Sequence, residues 1–515
     1  MLTDCIAAVP TEPRDKFHVV FIGSGWSFDA ATMRYRAHNI IEALALAGLE
    51  GTFVVQQDVP SQLSKILSHD LIVLVRRVRD DTLTALIGMA RRRGVPIVFD
   101  IDDYIFDPWI MPYVEAFQDR EGRARYLRLM DELGACLDQC YYFTGSTSYL
   151  ADKAAALGKE SFVIHNGLNA EQLLKSQLAR EQRDLHRRGP GTRLGYFSGT
   201  RTHQADFRVV YPSVMHLLRE DPDLRLTIVG QLDLDVFPGL ALFRDQIDLL
   251  PICDWRELPA VIAGVDINLI PLELTPFNEG KSNLKYYEAG LVEVPSIASP
   301  TRILRESITH GHNGLLAQTT EQWYDGIKDL IARPDWRRQL GRNALEHVLR
   351  TYSPAATAAE AVGVYRQILG LHRDRRDVPN QILNIILLIA DAAGEWEQAV
   401  QRANELAALG HIVTLYLAPG KTVDSASVLE KAISRLFLET LFTVQLGGEI
   451  PCCDVLIAVD PLASNLAKTN QHRARVTIAD ADRLSTILGI GRALESLLRN
   501  WVQNGTAAHR PGQAA

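Results

Sequence analysis

Short apolar, β-branched runs recur along this chain and alternate with stretches of helical periodicity, and that alternation admits few folds. His18 to Ile22 runs into Gly23-Ser24-Gly25, and a helical pattern follows to Leu44 and Ala47-Gly48. Asp70 to Val75 and Val95 to Phe99 repeat the pattern, the second after a basic helix-like stretch that ends Gly94-Val95-Pro96. Strands that alternate with helices join in parallel through right-handed crossovers and bury both faces of the sheet. A second series begins at Leu194 to Phe197 and continues through Leu224 to Val229 and Val265 to Ile270. The fold class predicted is α/β, with two Rossmann-like parallel-sheet domains facing a cleft.

Ser161 to Asn169 reads as a strand followed by an Asn166-Gly167 turn, which suits a crossing between the two series and places a hinge at 167 to 190. Trp336 to Leu369 reads as helix, and His372 to Pro379 as a charged, solvated linker. A third unit follows. Its strand Ile382 to Ala390, helix ending Leu406 to Gly410, strand Ile412 to Leu415 and run Cys453 to Ala458 echo the first unit, with Asp391-Ala-Ala-Gly394 replacing the glycine loop. The expected divisions are 1–170 and 171–370, both Rossmann-like and the second with a returning helix, an extra Rossmann-like domain at 378–504, and a polar, disordered tail at 505–515.

At 515 residues, 47% hydrophobic and 23% charged, the chain can bury several globular cores. A formal charge of −8 supplies no general basic field, which disfavours a nucleic-acid partner. The start, MLTDCIAAVPTEPRDK, has no long apolar core, and no later run is long enough to cross a bilayer, so a cytoplasmic protein is expected. Six cysteines without metal-binding spacing read as reduced thiols, and no metal is expected.

The densest chemistry lies in Phe277 to Gly290. Gly280 permits a tight backbone, Ser282 can cap, and a helix starting at Asn283 would offer its N-terminus to an anion. Lys281, Lys285 and Glu288 stand at i, i+4 and i+7, so one face carries two ammonium groups suited to phosphates and a carboxylate suited to a ribose diol. An amphipathic surface helix with ordinary Lys/Glu pairing is the competing reading.

At this segment the chain resembles the retaining glycosyltransferases of family 4, over residues 17 to 366 or so. The similarity rests on Glu288-Ala-Gly-Leu-Val-Glu-Val-Pro295, Ile164-His-Asn-Gly-Leu168, Ile228-Val-Gly230, Glu257-Leu-Pro259 before Ala263-Gly-Val-Asp266, and Asn313-Gly-Leu-Leu316, in shared order and spacing. The resemblance implies a GT-B fold and transfer of a hexose or deoxyhexose from a nucleoside diphosphate sugar, UDP, GDP or dTDP being open, to a glycan or lipid-linked acceptor with retention. It implies an acceptor-side domain at 1–170, a donor-binding domain at 171–370, a structural or acceptor-side role for the third unit, no further cofactor and a role in cell-envelope polysaccharide synthesis, with peripheral membrane association and oligomerisation through the third unit as options.

Glu288 stands at a family position and is assigned to the ribose and to the catalytic set; Lys281, also in that set, Lys285, Ser282 and Asn283 are assigned to the donor diphosphate by their placement around the helix start, Lys281 where the family pattern slips by one residue. Gly199 and Gly230 close strand ends beside it, and Gly25 offers backbone amides to donor phosphate or acceptor. Glu279 and Glu288 lie one residue further apart than the family's glutamate pair, so Glu279 is not its simple counterpart. The family's Arg and Lys after the first strand of the second sheet are met by Ser198 to His203, where Arg201 is the first choice for a diphosphate cation and His203 the second, with Arg208 later. Asp100-Ile-Asp-Asp103 stands where the family carries His-Asp; Asp100 and Asp102 are expected on one side of the strand and Asp103 in the loop, with Asp102 on the reacting sugar or acceptor hydroxyl. A helix-capping role and a metal-binding Asp-x-Asp compete for this cluster. Of Arg34 and Arg36 only one can face the cleft, with Arg36 preferred; Arg76 or Arg77 can reach acceptor phosphate or sugar. The rival readings are a GT-B sugar-nucleotide epimerase and a non-catalytic sugar-nucleotide-binding or scaffold subunit.

Overall fold

A computed structural model describes residues 16–25, 30–114, 120–183, 191–199 and 204–377, together with Ala403 and five C-terminal strands. The chain forms two compact units, one of Met1–Arg79 with Pro96–Asp374, the other of Asp80–Val95 with Arg375–Ala515.

In the first unit, β1 (His18–Gly23), β2 (Glu50–Val55), β3 (Leu71–Val75), β4 (Ile97–Ile101), β5 (Tyr142–Gly145) and β6 (Glu160–Val163) make a six-stranded sheet in the order β2-β1-β3-β4-β5-β6. Every pairing in it is parallel. A second six-stranded sheet follows: β7 (Arg193–Gly199), β8 (Arg225–Gly230), β9 (Ile247–Leu250), β10 (Ile267–Ile270), β11 (Ser296–Ala298) and β12 (Leu315–Leu316), in the order β12-β11-β10-β7-β8-β9. It too is parallel throughout. This is the α/β architecture of two Rossmann-like sheets that the alternating runs predict. The strand order of the second sheet reverses between β7 and β10, the place where open parallel sheets receive ligands at their carboxyl ends.

Buried β-branched runs dictate the strands: β3 and β4 are buried at every position. Two helix starts near the crossing follow side-chain caps. Thr147 Oγ1 accepts from Leu150 N, and Asn169 with Gln172 forms a reciprocal capping box at the helix Ala170–Glu181. That helix begins inside the segment read as a hinge.

The stretch read as one helix from Trp336 is two, Pro334–Tyr352 and Pro354–Asp377. Pro354 lacks the N–H that a continuing helix needs, and Ser353 is extended at ψ 159°. The second helix runs to Asp377, through most of the segment read as linker; Tyr142 Oη and His372 Nδ1 lie 3.4 Å apart. It returns the chain to the first sheet: Ala358, Ala361, Val362, Tyr365 and Ile368 share one core with Phe17, Val19, Phe21, Leu71 and Val73.

The two crossings between the sheets are tied to each other. Leu168 N donates to Tyr352 O at 2.9 Å, and His165 Nδ1 pairs with Glu360 Oε1 at 2.7 Å. Gly167 packs so closely on the returning helix that a Cβ there would overlap Thr357, 2.7 Å from its Cγ2. Gly167→Ala is therefore expected to lower stability by about 1–3 kcal/mol through overpacking, measurable as a lower denaturation midpoint; an unchanged midpoint would show that the crossings move apart freely.

In the second unit the helix Asp81–Arg93 is capped by Asp80 Oδ1 on Leu83 N at 2.7 Å and ends at left-handed Gly94, φ 66°. The same unit holds a five-stranded parallel sheet: β13 (Asn384–Ile389), β14 (Ile412–Leu417), β15 (Phe442–Leu446), β16 (Cys453–Ala458) and β17 (Ala474–Ile478), ordered β15-β14-β13-β16-β17. β13 stands between β14 and β16 as β1 stands between β2 and β3, while β15 and β17 have no counterpart in the echo read from sequence. The glycine-loop substitute at 391–394 and the tail from 505 lie outside the described residues. No helix among the described residues is long and apolar enough to cross a membrane.

Candidate functional site

Beyond the β7/β10 reversal the chain passes through Pro276–Glu279 into the helix Leu284–Leu291. The helix begins one residue after the expected start, and Ser282 does not cap it. Its hydroxyl instead accepts from Asn166 Nδ2 at 3.3 Å, tying this segment to the crossing from the first sheet. Asn283 sits at the cap position, but its amide is drawn into a buried polar network, donating to Ser307 Oγ at 2.7 Å and Tyr352 Oη at 2.6 Å.

Lys285 does not fit the competing reading of an ordinary surface Lys/Glu pair. Its stem reaches solvent, yet its Nζ is buried without a hydrogen-bond partner, 5.7 Å from the Tyr196 ring of β7. Burial pushes its pKa down to about 8; Asp206 opposes the shift and Lys281 adds to it. One helical turn on, burial pushes the Glu288 carboxyl up to about 7, offset by the hydroxyl of Tyr35 and the charges of Arg34 and Lys285. Tyr35 Oη donates to Glu288 Oε1 at 3.2 Å and itself accepts from Gln172 Nε2 at 2.8 Å. A carboxyl and an ammonium, each held near its titration point, thus share one helix face.

Lys281 is already engaged: its Nζ lies 3.4 Å from Asp206 Oδ2. Asp206 is 2% exposed and accepts at Oδ1 from Glu273 N at 3.1 Å and Asn278 Nδ2 at 2.7 Å. Glu279 faces away, accepting from Arg302 N at 2.7 Å. Gly199 and Gly230 pair at the ends of β7 and β8, and Gly230 has φ 101°, open to glycine at little cost. Arg201 and His203 lie outside the described residues, and Arg208 is exposed.

The first sheet contributes a second cluster. Asp102 and Asp103 follow β4, and Arg76, which follows β3, reaches both: Nη1 lies 3.6 Å from Asp102 Oδ1 and 2.9 Å from Asp103 Oδ2. Thr32 Oγ1 approaches Asp102 Oδ1 at 3.5 Å. Burial and the Asp103 charge push Asp102 up to about 6, against the pull of Arg76 and Arg36. Arg76 holds a left-handed backbone, φ 49°, a strain that such a residue carries at functional turns. Asp100 does not share a side with Asp102 in function. It is wholly buried and accepts from Arg36 Nε at 2.9 Å and Nη2 at 2.6 Å and from Thr144 Oγ1 at 2.6 Å.

The preference for Arg36 over Arg34 is therefore reversed. The helix widens into a π-turn over Arg34–His38, burying both arginines on different partners. Arg36 is spent on Asp100, whereas the Arg34 guanidinium lies 4.6 Å from the Trp255 ring and acts electrostatically on Glu288. Arg77 is also structural, donating from Nη1 to Gln56 Oε1 at 2.7 Å. Gly25 is exposed, with ordinary 3.5 Å clearance to Val55 for an added Cβ, so close approach does not require it. Sequence reading missed Tyr35, Trp255 and Asp206. Asp206 had a signal, an acidic residue in the first turn after a basic loop; the other two are aromatic residues in helix and loop, without one. Among the described residues no group of His, Cys, Asp or Glu is arranged to hold a metal ion, and Cys136, Cys140 and Cys253 are free thiols.

A family model described as glycosyl transferase-like matches residues 212–363, which includes β8, β10 and the helix carrying Lys285 and Glu288. No curated protein sequence matches the chain. Among solved structures, the Anabaena protein HepE, crystallised with UDP and glucose, is similar at 14% identity, covering 68% of this chain and 100% of that one, with a TM-score of 0.48. Sucrose-phosphate synthase from Thermosynechococcus elongatus is 16% identical over 69% of this chain and 100% of its own, with a TM-score of 0.47. A glycosyltransferase from Rickettsia africae is 12% identical over 69% and 99%, with a TM-score of 0.49.

Proposed function

We propose that this chain is a glycosyltransferase that moves a hexose or deoxyhexose from a nucleoside diphosphate sugar to a glycan or lipid-linked acceptor with retained configuration. The observation that carries the reading is the unpartnered ammonium of Lys285. Lowering a lysine from 10.5 to about 8 costs the charged form about 3 kcal/mol. A diphosphate entering beside Nζ would offset that cost with a charge-assisted hydrogen bond.

In this scheme Lys285, Lys281, Arg201 and the amides at the start of Leu284–Leu291 stabilise the leaving diphosphate, with His203 in support. Ser282, Asn283, Gly199, Gly230 and Gly25 shape the backbone around the donor. Glu288 accepts from the ribose hydroxyls. Asp102, with Asp103 beside it, holds the reacting sugar or orients the acceptor hydroxyl. The anomeric C–O bond to phosphate breaks, the acceptor oxygen bonds to the same face of that carbon, and its proton passes to the departing phosphate oxygen. Side chains then have to supply electrostatics and positioning rather than a nucleophile. Attachment to a membrane that carries a lipid-linked acceptor belongs to the same proposal.

The pH dependence follows from the two helix residues. Donor binding needs Glu288 ionised and Lys285 protonated, so affinity should rise as pH passes about 7 and fall as it passes about 8. Calorimetry with UDP, GDP and dTDP across pH 6 to 10 or so reads this out; affinity flat from 7 to 9.5 or thereabouts would remove Lys285 from the phosphate site. A mass-spectrometric donor and acceptor screen, with Lys281→Ala as the inactive control, tests transfer itself. Failure of every nucleotide to bind would favour a scaffold role. The raised Asp102 carboxyl favours one rival, acid–base elimination by a sugar-nucleotide epimerase, and donor converted to a free epimer without acceptor would establish it.

A further inference from the structure

The segment that leaves the Asp102-Asp103 turn carries an aromatic surface that the scheme above does not use. Residues Pro108–Tyr113 wind into a short tight helix. Ile110 and Met111 anchor it, 0% and 2% exposed, while Trp109 and Tyr113 face outward at 54% and 39%. Their ring centroids are 5.6 Å apart at 48°.

The Trp109 side of this exposed surface is held in place. Asp107 accepts from Trp109 N at 3.0 Å through Oδ1 and from Tyr104 Oη at 3.2 Å through Oδ2, so one carboxylate sets the backbone under the indole and the tyrosine beside it. Lys153 Nζ stands 5.8 Å from the Trp109 ring, 5.8 Å from that of Tyr104 and 5.1 Å from that of Tyr149, spending its charge on their faces. The surface also adjoins the donor segment. Tyr104 packs on Gly280 so closely that a Cβ there would lie 2.8 Å from the tyrosine Cβ, and the Glu279 charge reaches Tyr149.

Single exposed aromatics need no explanation, but an adjacent pair on the segment that leaves the half-buried Asp102-Asp103 turn does. A π face carries partial negative charge and attracts the polarised C–H face of a pyranose, giving a contact with large area and little entropy cost. Membrane insertion would call for aliphatic neighbours pointing outward, and here Ile110 and Met111 both point in. We propose that Trp109 and Tyr113 form an acceptor subsite that stacks a pyranose ring of a glycan, beyond the sugar that receives the transfer. The role as an acceptor subsite rests on the glycosyltransferase reading; the capacity to stack a sugar does not.

The test is saturation-transfer NMR on the full chain with maltotriose, chitotriose and mannotriose in turn. At least one triose should receive saturation on its ring C–H protons. The double variant Trp109→Ala/Tyr113→Ala should bind that triose about tenfold more weakly, Trp109→Phe should keep most of the binding, and Lys285→Met should keep all of it. Absence of transfer to every triose, or transfer unchanged in the double variant, would overturn the proposal. So would sedimentation with phosphatidylglycerol vesicles that depends on Trp109, because the surface would then be a membrane contact. Nucleotide calorimetry on the same samples separates the two readings. Trioses that stack on a chain binding no UDP, GDP or dTDP leave the subsite standing and the glycosyltransferase reading lost; nucleotides without trioses give the reverse.

Discussion

Lys285→Met is expected to make the protein more stable and unable to bind a nucleoside diphosphate. The wild-type ammonium is buried, with no hydrogen-bond partner and a pKa near 8 against 10.5 in water. Below pH 8 the folded state carries that penalty in full, so the variant should gain about 2–3 kcal/mol in denaturant unfolding. The sign follows from linkage. Between 8 and 10.5 the unfolded chain binds more protons than the folded one, so wild-type stability rises with pH and the advantage of the variant shrinks, vanishing above 10.5. Nucleotide affinity should fall at least about hundredfold, the cost of losing a charge-assisted contact to diphosphate. A variant that is less stable at pH 7 would mean that the ammonium is satisfied in the folded protein; one that is stable and still binds would place the diphosphate elsewhere. The gain in stability also shows that lost binding is not lost folding.

Asp100→Ala is expected to cost about 3–5 kcal/mol, among the largest losses available from a single side chain here. Arg36 and Asp100 are both 0% exposed and meet at 2.6 Å. Arginine does not shed its proton to escape burial, so removing the carboxylate leaves a full charge in the core with Asn166 Oδ1 and Ile164 O as its remaining acceptors. Replacing both partners together, as Arg36→Met with Asp100→Leu, should cost far less than either change alone, because no orphaned charge remains. Urea titration of the three variants measures the coupling. If the double change costs the sum of the singles, the pair is two independent polar contacts and the reading of Asp100 as a structural anchor falls.

The sheets were legible because burial on both faces leaves no choice of residue: β1, β3, β4, β8 and β10 are written as apolar runs, and the structure moves their ends by only a few positions. Glu288 was singled out by its place in the family resemblance rather than by spacing, which an ordinary Lys/Glu surface helix fits as well. The burial of Lys285 was not. Its cover comes from Tyr196 on β7, far back in the chain, and helical periodicity describes only neighbours on the same helix. Arg36 and Asp100 failed for the same reason, each reading as a cleft residue until the other is placed against it. The break at Pro354 was visible in the residue itself, but an unbroken apolar periodicity on both sides masked it. The charged stretch after His372 shows the converse: composition marks solvent exposure, and an exposed helix end satisfies it as well as a linker does.

The returning helix Pro354–Asp377 also bears on the order of assembly. The core of the first sheet joins residues between Phe17 and Ile164 to Ala358–Ile368 of the returning helix, and the whole second sheet is nested between them in the sequence. During synthesis the β7 to β12 region can complete its hydrogen bonding from contiguous chain, while the sheet translated first waits with one face only partly covered until the returning helix emerges. Stalling translation just after Ser353 should therefore yield nascent chains in which the later-made half resists protease and the earlier-made half does not.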